Sequence, residues 1–400
     1  MNSFFNLPEN VLFCKKCVMS NQRPSSIPEF RHTRNRDGAK YLNIGSDGLC
    51  DACKQAEIKN LQINWKDREK ELLILLDKNR KSNGDYDCIV PGSGGKDSVF
   101  QSHVLKYKYG MNPLTITWPP ILYTEYGYEN FKNWIEIGGF DNVTFKPNGN
   151  AMKLLTKLSI INLLHPFQTF ILGQKNLAPK IAKKFNINLV FYGENEAEYG
   201  NPIADNSISL RDKSYFTFKN YDEIFLAGEP INKLLEYKEI SLTDIKTFLP
   251  LEIEEYDKTQ IEIYYLGYYL KWIPQEAYYY AIENTSFKAR PFRTEGTYSK
   301  YNSIDDKIDD LHYFTSYIKF GLGRASHDAS QEIRNNHITR EEATRLVKKF
   351  DGEVPQRYLK EILNYLNLGE DNFFELCDKF RSPHLWNKNS GKWELRHTSF

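Results

Sequence analysis

Pro91-Gly92-Ser93-Gly94-Gly95-Lys96-Asp97-Ser98 is the stretch that decides how this chain reads. Ahead of it, Tyr86-Asp87-Cys88-Ile89-Val90 is a short extended run. Behind it, Val99 to about Tyr109 carries apolar residues at helical spacing until Gly110, so strand, tight loop and helix are expected in that order. Such a loop suits a phosphate group. Glycines admit a polyanion to the backbone, the first helical N–H groups lack partners within the helix, and the helix dipole places partial positive charge at that end. Lys96 adds a full one.

Two common phosphate loops fail on spacing. A Walker A loop needs glycine five positions before Gly95 and Ser or Thr after the lysine, where Val90 and Asp97 stand. A dinucleotide fingerprint begun at Gly92 needs its third glycine where Asp97 stands. What remains, Ser93 to Ser98 directly after a strand, resembles the PP-loop of the N-type ATP pyrophosphatases, enzymes that cleave ATP between the α and β phosphates. The alternative is a glycine-rich turn that happens to carry a lysine, and the flanking strand and helix weigh against it.

A chain of 400 residues is long enough for two or three domains and an extended sheet. Charge nearly balances, with 53 basic against 52 acidic residues, so no global field draws the chain to nucleic acid or to an anionic membrane. The first residues lack a basic region and a long apolar core, and no apolar run approaches membrane-spanning length; a soluble cytoplasmic protein is expected.

Four of the six cysteines fall as Cys14-x2-Cys17 and Cys50-x2-Cys53. Two such knuckles complete the all-sulfur tetrahedron that structural zinc prefers, and a closed shell of this kind holds a scaffold together without offering an open position for catalysis. Disulfides, disfavoured by a cytoplasmic setting, and an iron–sulfur centre are the alternatives.

Further strands are expected at 114–118, 142–146 and 188–192, and helices at 65–79, 128–137, 151–164 and 177–185, the first of them covering the sheet edge. This alternation predicts an α/β fold, a doubly wound parallel sheet with ATP lying across the C-terminal ends of its strands. Beyond about residue 241 the pattern becomes mainly helical, including an aromatic tract at 260–272, a capping box at Thr339-Arg340-Glu341-Glu342 and a helix at 355–367. The expected organisation is a four-cysteine segment (1–62), a PP-loop domain (63–240) and a helical C-terminal region (241–400).

Candidate site residues follow. Ser93, Gly94, Gly95, Lys96, Asp97 and Ser98 would hold ATP, and Lys96, Asp97 and Glu194 are the candidate catalytic groups. Glu194 and Glu196, in the polar loop that leaves the 188–192 strand, are candidates for metal or substrate contact, with a solvated loop as the alternative. Arg290, Arg293, Tyr298 and Arg324 lie in two polar clusters suited to an anionic, hydroxyl-rich ligand, with ordinary surface salt bridges as the alternative.

Cys14-x2-Cys17-Val18-Met19-Ser20 with Arg23-Pro24, then Cys50-x2-Cys53, the glycine loop, Tyr192-Gly193-Glu194-Asn195 and Arg293-Thr294-Glu295-Gly296-Thr297-Tyr298 together resemble the bacterial N-acetyl sugar amidotransferases of surface-polysaccharide biosynthesis. The likeness covers nearly the whole chain. It implies conversion of a sugar acetamido group to an acetamidino group, in pathways to lipopolysaccharide O-antigen or nonulosonic acids. In that chemistry the amide oxygen attacks the α-phosphorus of ATP, pyrophosphate leaves against the glycine loop, Lys96 and Mg²⁺, and ammonia then displaces AMP. The implied substrate is an N-acetylated, anionic sugar or sugar nucleotide.

Ammonia must come from elsewhere. A glutaminase needs a nucleophilic cysteine, and Asn2 stands where an N-terminal one would be exposed, while Cys88 lies in a strand and Cys377 on no small-residue elbow. The resemblance likewise implies a separate glutaminase with a cyclase-like ammonia-channel subunit. Two rival readings are a PP-loop tRNA-modifying enzyme of thiolase or lysidine type, and a zinc-stabilised nucleotide-binding scaffold without turnover.

Overall fold

The computed structural model describes residues 2–202 and 207–400. Five parallel strands make the central sheet: β1 (Cys88–Pro91), β2 (Pro113–Thr117), β3 (Asn142–Thr144), β4 (Leu189–Tyr192) and β5 (Glu262–Tyr265), in the order β3-β2-β1-β4-β5. Ile89 of β1 pairs with Leu114 on one side and Val190 on the other. Both faces of β1 are covered, which is why it reads as an unbroken apolar run and not as an alternation.

On one face, Ile89, Ile116 and Val190 pack with α5 (Gly149–Leu163) and α6 (Gln168–Phe185). On the other, Cys88, Val90, Leu189 and Phe191 receive Leu72 and Leu76 of α2 (Trp65–Asn79). The bounds of α2 agree with the sequence reading, but it covers a sheet face and not the edge. The first helix, α1 (Asp51–Leu61), starts directly after Cys50. The phosphate-loop helix is α3 (Lys96–His103), continued by a wider π turn over Val104–Lys108, and it is followed by α4 (Glu125–Glu136).

Two local features correct the expectations. Helix α6 starts at Gln168, well before residue 177. Gly173 lies inside it because the Trp118 ring occupies the space a Cβ would need, 2.2 Å away. Pro179 removes the N–H that would have bonded the Lys175 carbonyl, and the Tyr192 hydroxyl donates to that carbonyl instead, at 2.9 Å. The second correction is β5. The tyrosine pairs at 264/265 and 268/269 mimic helical spacing, yet Leu189 to Tyr192 offer an open strand edge, and Glu262 to Tyr265 pair with it in register. The sheet therefore draws its last strand from beyond residue 240.

Helix α7 (Pro274–Thr285) packs against α3. The longer helices that follow are α8 (Asp309–Phe320), α9 (Arg324–Arg334), α10 (Arg340–Phe350), α11 (Gln356–Leu366) and α12 (Glu370–Lys379). Thr339 and Glu342 form the expected capping box on α10. The chain then closes with an antiparallel hairpin, Trp386–Asn389 with Lys392–Leu395, in a region expected to be mainly helical and for which no strand was expected. Asp351, just after α10, caps α9 through the Gly323 and Ser326 N–H groups at 3.0 and 3.1 Å. The N-terminal segment folds back onto this region: Leu322, Ala329, Ile333, Ala343 and Val347 pack around the four N-terminal cysteines.

Candidate active site at the switch point of the sheet

After β1 the chain crosses to β2 on one side, while β4 lies on the other, so the loops leaving β1 and β4 diverge and open a crevice between them. A cavity of about 480 Å³ occupies it, and a neighbouring one of about 410 Å³ shares Arg23, Ser93, Asp97, Ser98, Glu194 and Tyr199 with the first. Either is within the size range of small-molecule sites.

The glycine loop forms the floor of the first cavity. Gly95 is the N-cap of α3 and carries no side chain to cap it, so the first-turn N–H groups point at the cavity without an intrahelical partner. Gly94 sits at φ +87°, and a Cβ there would meet the backbone of α4, with Phe131 Cα at 2.6 Å and Phe131 N at 2.7 Å. The loop is thus pressed against α4, and the Ser93 hydroxyl donates to Asp305 Oδ2 at 2.7 Å. Lys96 is nearly buried and pairs with Asp97 Oδ2. The other oxygen of Asp97, Oδ1, is buried with no hydrogen-bond partner among the described residues.

Glu194 stands in the facing loop and accepts from the Tyr199 hydroxyl at 2.7 Å. Burial, with the nearby Asp97 carboxylate, raises its pKa above the usual range. An orphaned carboxylate oxygen on Asp97 and a buried, strained charge on Glu194 are both what a divalent cation would relieve, so these two groups fit Mg²⁺ beside a bound polyphosphate. Glu196 differs. Its oxygens accept from Tyr265 and Asn201, each at 2.9 Å, and from Arg211, and although burial would raise its pKa, Lys175 and Arg211 hold it below the usual range. It lines the second cavity as one half of an ion pair.

The opposite wall comes from the C-terminal region. Arg324, at the start of α9, bonds Asp328 through Nε at 2.8 Å and reaches the Tyr313 hydroxyl. Burial alone would lower its pKa, but Asp328, Tyr313 and Asp309 hold it above the usual range. The structure therefore brings together Ser93, Gly94, Gly95, Lys96, Asp97, Ser98, Glu194 and Arg324 around one cavity. Arg290, Arg293 and Tyr298 are absent from its lining. Arg290 is buried and donates to the Ile304 carbonyl at 3.0 Å; Arg293 makes a bidentate pair with Glu353, 2.6 Å to each oxygen; Tyr298 donates to Glu332 at 2.9 Å. Arg293 and Tyr298 are engaged within the C-terminal region, while Arg290 keeps Nε and Nη1 buried with no hydrogen-bond partner among the described residues.

Among the lining groups that sequence reasoning did not select as site residues are Arg23, Asp305, Asp309, His312 and Tyr313. The two aspartates had a signal: Asp305, Asp306, Asp309 and Asp310 crowd the start of α8, where the helix dipole favours negative charge. Arg23 had only its place in the Arg23-Pro24 pair of the family-like motif, which gave no hint that it reaches this cavity from the four-cysteine segment.

The sulfurs of Cys14, Cys17, Cys50 and Cys53 lie within 4.8 Å of one another, with Cys14–Cys53 at 3.8 Å and Cys17–Cys50 at 3.6 Å. A tetrahedron of thiolates at the zinc–sulfur bond length of about 2.3 Å has edges of about 3.8 Å. The set fits one zinc ion, and is too tight to enclose a multi-iron cluster. The Cys17 and Cys50 N–H groups point at Cys14 Sγ, at 3.5 and 3.3 Å, which favours the thiolate form.

Among the described residues no helix is long and apolar enough to cross a membrane. Compared with known proteins, a stretch of 77 residues, 19% of the chain, is 42% identical to the uncharacterized protein MJ1599 of Methanocaldococcus jannaschii and covers 27% of that protein. Among solved structures, NMN synthetase from Francisella tularensis is similar over 32% of this chain and 54% of that one, at 16% identity and a TM-score of 0.25. The chain thus spans about a quarter of the curated relative and about half of the solved one. Residues 295–398, which include Arg324 and Asp328 of the cavity wall, match the family model described as LPS biosynthesis protein WbpG-like, C-terminal domain. That match supports a protein of surface-polysaccharide biosynthesis whose C-terminal quarter is WbpG-like.

Proposed function

We propose that the protein is an ATP-dependent amidotransferase that converts the N-acetyl group of a sugar into an acetamidino group. The observation that carries this reading is the shared cavity: a phosphate-type loop with Lys96 forms one wall, and the WbpG-like region supplies Arg324 to the other. Nucleotide and sugar would meet there. The amide oxygen attacks the α-phosphorus of ATP, and pyrophosphate departs towards the α3 N-terminus, where backbone N–H groups and Lys96 receive its developing charge. Mg²⁺, held by Asp97 and Glu194, would neutralise part of that charge. Arg324 orients the sugar, and ammonia displaces AMP from the activated carbon.

A separate glutaminase with an ammonia-channel subunit is proposed as partner. The two cysteines outside the four-sulfur cluster support an outside source of ammonia, since Cys88 and Cys377 are fully buried and burial raises both thiols, Cys377 to about 12. Neither can supply a thiolate nucleophile at neutral pH.

Mass spectrometry of candidate N-acetylated sugars incubated with protein, ATP, Mg²⁺ and ammonium tests the reading. Replacement of the acetamido oxygen by NH, with one AMP and one pyrophosphate formed per product, is the expected result. Lys96→Ala should slow it by about a hundredfold or more. Full turnover in that variant, or AMP formation that ignores the sugar, would sink the proposal.

A further inference from the structure

Behind the nucleotide cavity lies a third, smaller one of about 200 Å³, joined to it by shared walls at Arg23, His312, Ser316, Leu322 and His327. Its lining is dominated by groups that donate hydrogen bonds. Arg23 Nε, Arg36 Nε and Ser25 Oγ, the ring nitrogens His32 Nε2, His165 Nδ1 and His312 Nδ1, which donate in the matching tautomer, and Glu29 Oε2 are all buried with no hydrogen-bond partner among the described residues. Ser25, His32 and Arg36 are more than nine-tenths buried. Folded proteins leave only a few such atoms in a hundred residues, so seven around one small space, six of them on groups able to donate, call for an occupant.

Charge decides which kind. Glu29, His32 and His165 place ligand atoms within 4.8 Å of one another, a spacing that alone would admit a metal ion. Yet Arg23, Arg36 and Lys319 line the same space, and a divalent cation would face all three. Lys319 is itself buried, and burial together with Arg36 holds its pKa well below the usual range. Burial and neighbouring cations likewise keep His32 and His165 neutral. The only carboxyl in the lining, Glu29, is raised by burial to about 7 and can itself become a donor. An anion would satisfy the orphaned donors and the crowded positive charge together.

We propose that this cavity is an anion pocket which seats a carboxylate or phosphate of the acceptor sugar while the sugar's amide reaches through to the nucleotide. The identity of the acceptor rests on the amidotransferase reading; the anion pocket does not. Arg23, which lines both spaces, would span the two halves of the ligand.

Titration calorimetry of the full chain with D-glucuronate and with glucose 1-phosphate, and with glucose as the neutral control, tests the pocket. The two anions separate a carboxylate from a phosphate source. At least one should bind and glucose should not. Arg36→Gln and His165→Asn should each weaken anion binding about tenfold or more, and leave ATP affinity within about twofold. Absence of anion binding, or binding unchanged in a variant that still binds ATP, overturns the proposal. So does a second bound metal, beyond the four-cysteine ion, that His32→Gln removes. Failure of the parent protein to bind ATP would sink the nucleotide reading and leave the anion result standing.

Discussion

Gly94→Ala tests how the phosphate loop is built. At φ +87° an alanine is strained, and its Cβ would stand 2.6 Å from Phe131 Cα, 2.7 Å from Phe131 N and 2.8 Å from Asn130 O. All three are backbone atoms of α4, so none can rotate away. The left-handed conformation costs about 1–2 kcal/mol and overpacking about 1–3 kcal/mol, or about 2–5 kcal/mol together. That energy appears either as lost stability or as a displaced loop. Carried wholly by the nucleotide complex, it would weaken ATP binding roughly thirtyfold to several thousandfold. Gly95→Ala is the control: its φ is −67°, and its Cβ would find nothing nearer than Ser98 Oγ at 4.0 Å. It should leave stability within about 0.5 kcal/mol of the parent. Urea unfolding followed by tryptophan fluorescence, with Trp134 fully buried beside the loop, and ATP titration measure both effects. Parental stability and parental ATP affinity in Gly94→Ala would show that the loop is not pressed against α4.

Three further outcomes are expected. Arg293→Ala should leave sugar KM and turnover unchanged and cost at most about 1 kcal/mol, because its pair with Glu353 is about one-third exposed and solvent screens it; a tenfold rise in KM would return Arg293 to the site. Burial raises Glu29 from 4.5 to about 7, so the folded chain keeps a proton that the unfolded chain releases. This stabilisation is complete below about pH 4.5 and is lost as pH rises through about 7, amounting to about 3 kcal/mol. Glu29→Gln, which cannot ionise, should therefore be less pH-sensitive than the parent across that window in thermal melts from pH 4.5 to 8; parallel curves would refute the shift. Cys17→Ser should lose its metal by elemental analysis and several kcal/mol of stability, because the cysteine cluster is packed directly on α9 and α10; a variant that keeps one zinc per chain would contradict the four-sulfur site.

Much of the fold could be read locally. The bounds of α2 and the capping box of α10 agree with the structure because the residues that start and stop a helix lie within a turn of its ends. The two cysteine pairs behave in the same way, since each knuckle is a local turn. Strand β5 could not be read so, because its tyrosine spacing fits a helix and only the exposed edge of β4, far away in sequence, converts it to a strand. The hairpin at Trp386–Asn389 was overlooked because its strands are four residues each and mostly exposed, burial fading along the first and only half-burying alternate residues of the second.

The amino-acid sequence by itself determined the glycine loop between strand and helix, the parallel sheet's first four strands and the pairing of the cysteine knuckles, all of which depend on neighbours a few residues apart. Tertiary structure alone decided which cations line the cavity. Arg293 and Arg324 look equivalent along the chain, yet one is held by Glu353 and the other faces the cavity. Arg23 enters only because the four-cysteine segment folds back onto α9 and α10. Such convergence is set by long-range packing, in which residues far apart in the chain share one buried volume, and no local preference encodes it.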